Sequence, residues 1–146
     1  MSDLSLLSQI TLYVLLGFIG VLTLLILWFQ FQVFGGKRMP NPDGSADDWH
    51  EQKIFYGIAV ADIFLACPLG LAAVGLTLAA SPWGLFLLPM HGFYFLWANT
   101  MTTATSLRFH NPEFTLTWFS VFPLGILVGV ATLAWTAVHL DLINAA

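Results

Sequence analysis

The chain has 146 residues, of which 58% are hydrophobic and only 8% charged, whereas soluble domains carry about a quarter charged residues. Its net charge of −4 provides no basic surface, which excludes nucleic acid as a partner and an anionic-lipid patch as an anchor. The single cysteine, Cys67, excludes an intramolecular disulfide and any cysteine-built zinc or iron–sulfur site. Composition therefore predicts a membrane protein made of one domain, residues 1–146. Its fold class is all-α: a four-helix transmembrane bundle, antiparallel and up-down, with spans over 10–34, 54–80, 85–106 and 114–138.

The first span has no basic residue ahead of it, as a cleavable signal peptide would need, so it is expected to be retained. Ser2 or Asp3 can cap its lead-in. Gly17 and Gly20 would admit a close neighbour, and Gln30 and Gln32 mark the approach to the headgroups before Gly35–Gly36 ends the helix. Residues 35–53 form the longer cytoplasmic loop. Within it Asn41-Pro42-Asp43-Gly44 reads as a turn, and Ser45 as a cap with Asp47 and Asp48 beside the helix dipole.

The second span is an apolar run interrupted by one acid, Asp62. A charge at that depth costs about 2.5–3.5 kcal/mol on insertion scales, so the acid should face a partner or water. At about 100° per residue, Ala59, Asp62, Ala66, Gly70, Ala73 and Thr77 share one side, the small-residue pattern of a helix contact. Pro68 and Pro123 each remove a backbone donor and predict kinks that would open a polar cavity. Ser81-Pro82-Trp83-Gly84 is a tight reversal into the third span.

That third span is the most polar of the four, with His91, Tyr94, Phe95, Ala98, Thr102 and Thr105 on one stripe and Asn99 and Ser106 at its edge. Asn111-Pro112-Glu113 reads as the cap of the fourth span. There Gly125 and Gly129 have the spacing that lets helix backbones touch. All four basic residues (Lys37, Arg38, Lys53 and Arg108) fall in or beside the loops over 35–53 and 107–113. By the positive-inside rule those loops are cytoplasmic and both termini lie on the non-cytoplasmic side, in a bacterial-type cytoplasmic (inner) membrane.

Three candidate sites follow. Asp62 with Asn99, Thr102 and Thr103 would form an intramembrane polar cluster, either a cation or proton step or a protonated carboxyl locking two helices. His91, Tyr94 and Trp97 could contact a ligand or cofactor, with His139 as the one other imidazole on the outer side for a bis-histidine haem. His50, Glu51, His110 and Glu113 are a possible divalent-metal set at the cytoplasmic surface. The sequence requires neither haem nor metal, and Cys67 reads as a packing residue. Trp28, Trp49, Trp83, Trp118 and Trp135 read as interfacial belt residues.

No nucleophile–base pair and no phosphate-binding glycine loop is present. The leading reading is a structural or accessory subunit that works by helix packing, with itself or within a larger membrane complex. The alternatives are a transporter or channel-like protein using Asp62, and a membrane-embedded enzyme or cofactor-binding protein using the interfacial metal set.

Overall fold

The computed structural model describes residues 4–38, 49–109 and 112–141, the side chains of 49–52 and 109 excepted. It is all-α, with no strand among the described residues: α1 (Leu6–Phe34), α2 (Trp49–Ala61), a π-helical turn (Asp62–Ala66), α3 (Cys67–Leu78), α4 (Pro82–Phe109), α5 (Leu116–Val121) and α6 (Pro123–Val138). The second helix, the π turn and the third helix run on as one rod, which leaves five helical rods among these residues.

Only two of these rods are long and apolar enough to cross a membrane, Leu6–Phe34 and Lys53–Leu78. The four-span bundle, with both termini on the non-cytoplasmic side, is corrected accordingly. Its third member, α4, has the length at 28 residues, but Pro89, His91, Tyr94, Asn99 and its run of threonines lower its hydropathy below that of a span. Its fourth member is broken at Phe122, where Pro123 starts a new helix, and the apolar piece α6 is only 16 residues long. A span needs about 20 residues.

Local chemistry sets the ends of the rods. Ser5 caps α1 by accepting from the Ser8 amide. Gly36, at φ 87°, closes its other end, with the Lys37 amide reaching Gln32 O and the Gly36 amide reaching Val33 O. This double bond pattern is the Schellman motif. The same motif ends α3, but there the left-handed position is filled by Ala80, at φ 55°. Thr115 caps the helix that follows α4, accepting from the Trp118 amide at 3.1 Å. The caps expected at Ser2, Asp3 and Ser45, the turn at 41–44, and Asp47, Asp48 and Asn111 lie outside the described residues.

The helix α4 is the centre of the fold and packs most extensively against α6 and α3. Glycines make this possible. A Cβ on Gly129 would sit 2.7 Å from Gly92 O and from the Leu96 amide, and one on Gly84 would sit 2.2 Å from the Thr77 amide. Backbones in such contact admit no side chain between them. Gly17 and Gly20, by contrast, have nothing within 4 Å of an added Cβ. The core runs between these helices through Leu12, Leu16, Ile19, Leu88, Phe95 and Trp135.

Candidate functional site

Asp62 is the first residue of the π turn, and the proline ahead of it in the chain explains the turn. Pro68 has no N–H and its ring collides with the carbonyl four residues back in a regular helix. One extra residue in the preceding turn relieves the collision, so the Cys67 amide reaches back five residues to Asp62 O. Such π bulges are rare and concentrate at functional positions. The bulge also rotates the buried face: Ile63 and Cys67 join it, while Ala66, expected there, is only half-buried.

The Asp62 side chain is 6% exposed, and both of its oxygens are engaged. Gln30 Nε2, from α1, donates to Oδ2 at 2.7 Å, and the Tyr94 hydroxyl, from α4, donates to Oδ1 at 2.9 Å. The carboxyl accepts in both bonds, so it ties three helical rods together as an acceptor rather than as a donor. The partners expected for it lie elsewhere. Asn99 donates to Phe95 O and stands against Gly125, where an added Cβ would be 2.2 Å from its amide. Thr102 bonds Ala98 O, and Thr103 Oγ1 is buried without a partner among the described residues.

A second polar pair lies beside the first. His91 is fully buried, and its Nε2 is 2.9 Å from Thr23 Oγ1 on α1. Its ring is stacked with Tyr94 at 5.3 Å and tilted against Phe95 at 4.6 Å. Gly70 makes the room: a Cβ there would sit 2.3 Å from Nε2. Among the described residues His91 Nδ1 has no hydrogen-bond partner. Cys67, fully buried in the same helical face, completes the lining.

Gln30 and Thr23 went unread in the sequence, where Gln30 was placed among the headgroups. A signal for them exists. Leu12, Leu16, Ile19, Thr23, Ile26, Gln30 and Val33 alternate at spacings of four and three, the seam of a packed helix. Two polar residues in such a seam point inward, where each needs a partner.

The other expected site residues stand apart from this cluster or lie outside the described residues. Trp97 is 56% exposed and lines a shallow open groove with Phe93, Leu96, Thr100 and Met101, away from His91 and Tyr94, which face inward. His139 is held by Trp135 O and Ser8 Oγ. Ser8 and Thr23 are separated by roughly 22 Å along α1, so His91 and His139 are anchored too far apart to ligate one iron. Of the metal set, His110 and the side chains of His50 and Glu51 lie outside the described residues. Among the described residues no three histidine, cysteine or carboxylate groups gather. Two belt tryptophans also bond inward: Trp118 Nε1 to Ser106 Oγ at 2.9 Å and Trp135 Nε1 to Ser8 O at 3.2 Å.

No family model, no curated protein and no solved structure matches this chain. The chemistry of the site is therefore the guide to function.

Proposed function

We propose that this is a membrane protein of the transporter or channel-like class, and that Asp62 is its operating site. The observation that carries the reading is the carboxyl itself: buried in one of the two helices of spanning length, at a π turn, and bonded to α1 and α4 at once. An acid in such a place is costly and marks a pathway more often than a packing contact. A group bonded to three rods also senses any change in their relative position. Membrane residence is supported by the surfaces of those two helices. Only 28% and 33% of their most apolar stretches are buried, unlike the core helix of a water-soluble domain, and Val14, Phe18, Val21 and Leu25 point outward.

Flux across liposomes containing the purified protein tests the reading. Under an imposed cation or proton gradient, Asp62→Asn is expected to reduce flux at least tenfold while helix content and elution volume stay those of the parent. Equal flux in the variant and the parent would refute it. Association with itself or with a larger complex is a second reading, favoured by Gly17 and Gly20, where an added Cβ would meet nothing within 4 Å among the described residues.

A further inference from the structure

We propose that the species Asp62 exchanges is a proton, and that the Gln30 side chain is the pivot that accommodates both forms of the carboxyl. This rests on the reading of Asp62 as the operating site. Each carboxyl oxygen meets a hydrogen donor, Gln30 Nε2 on Oδ2 and the Tyr94 hydroxyl on Oδ1. Donors suit a carboxylate, which only accepts. A metal cation needs lone pairs converging on it from several oxygens. The groups bonded to Asp62 bring two oxygens of their own, the Tyr94 hydroxyl and the Gln30 amide oxygen, fewer than such a cation needs, and no cluster of three acidic, histidine or cysteine side chains gathers among the described residues.

A proton needs one local rearrangement. When Oδ2 takes up a proton it becomes a donor facing Gln30 Nε2, another donor. A half-turn of the Gln30 amide brings Oε1 to that place, and an O–H···O bond replaces the N–H···O bond. The two ends of an amide are nearly the same size, so the turn requires no repacking. Tyr94 donates to Oδ1 throughout. Loss of the proton to the aqueous phase reverses the turn. Among the described residues, the titratable groups coupled to Asp62 are Tyr94, from α4, which donates to it, and Cys67, further along its own rod, whose thiol feels the carboxyl. From α1 the neutral Gln30 donates to it. Gln30 is thus a positioning residue that acts through Asp62.

Infrared difference spectra of the full chain in lipid bilayers, taken between acid and alkaline buffers, test the proposal. A protonated-carboxyl band that disappears in Asp62→Asn belongs to Asp62. Its midpoint is expected to be the same in choline, sodium and potassium chloride. The bands of nitrogen-15-labelled glutamine are expected to change in step with it, and Gln30→Leu to alter the proton affinity by about tenfold, one pH unit. A midpoint that moves with sodium or potassium concentration overturns the proton while leaving Asp62 as the site. Static glutamine bands, or an unchanged midpoint in Gln30→Leu, overturn the pivot. If no titrating carboxyl band is lost in Asp62→Asn, the proposal and the reading beneath it both fall. Should Gln30→Leu not fold, the labelled parent still decides the pivot.

Discussion

Gly70→Ala puts one methyl group where the structure has an imidazole. The added Cβ would lie 2.3 Å from His91 Nε2, 2.4 Å from Cε1 and 2.9 Å from Cδ2. The ring has no easy way out, because it is fully buried between Tyr94 and Phe95 and its Nε2 is bonded to Thr23. Overpacking of this kind costs about 1–3 kcal/mol, and loss of the hydrogen bond to Thr23 about 1 kcal/mol more. The expected destabilisation is about 2–4 kcal/mol, read by denaturant unfolding in mild detergent with helix content as the signal. Gly17→Ala is the control: the space around it is open, so it should be neutral or stabilising by up to about 1 kcal/mol. The double variant Gly70→Ala/His91→Ala separates crowding from a backbone effect, since alanine at 91 removes the obstacle. The two substitutions should then couple by at least about 1 kcal/mol. Equal stability of Gly70→Ala and the parent, or strict additivity in the double variant, would refute the packing of His91 into the Gly70 notch.

Other outcomes follow from the same contacts. Gly129→Ala should destabilise by about 1–3 kcal/mol in the same assay, because its Cβ would meet the backbone at Gly92 and Leu96, which cannot rotate aside. Ala80→Gly should stabilise by about 1 kcal/mol, since glycine carries no penalty at the left-handed position that ends α3; a thermal unfolding midpoint that falls would contradict this. Tyr94→Phe leaves Oδ1 of a buried acid without its donor and should cost about 1–3 kcal/mol of stability, with flux reduced less than in Asp62→Asn. Pro68→Ala restores the missing amide and permits the regular helix. It should therefore weaken the bonds of Asp62 to Gln30 and Tyr94, detectable as loss of the Asp62–Tyr94 coupling in a double-mutant cycle.

Much of the helical content was legible because apolar runs, prolines and small residues act locally. Leu6–Phe34 and Lys53–Leu78 stand out by length and hydropathy, and the Gly125–Gly129 spacing marks a face that α4 does approach closely. Counting spans failed where local signals were read as global ones. The polar stripe of α4 has the pattern of the inner face of a spanning helix, yet the same residues lower the hydropathy of the whole rod. Pro123 was read as a kink within a span, yet the chain stops one helix at Val121 and starts another there.

At the site, burial of Asp62 followed from the cost of an acid among apolar residues, but its partners did not. The π turn at Asp62 changes the direction of its side chain relative to a regular helix. Asn99 and Thr102 satisfy their own helix instead. Threonine and asparagine can do this by reaching a carbonyl one turn back, which residue type and spacing alone do not reveal. Gln30 was hidden by its closeness to the end of α1, where a polar residue has a simpler explanation.

The central claim is that Asp62 is held by Gln30 inside the protein, in a lipid bilayer. Solid-state NMR on bilayer samples with labelled aspartate and glutamine addresses this directly, through the space between the Asp62 carboxyl carbon and the Gln30 side-chain nitrogen. A cross-peak between the two, absent in Asp62→Asn and in Gln30→Leu, is the expected result. Contacts from the Asp62 carboxyl to lipid acyl chains, with none to Gln30, would contradict it.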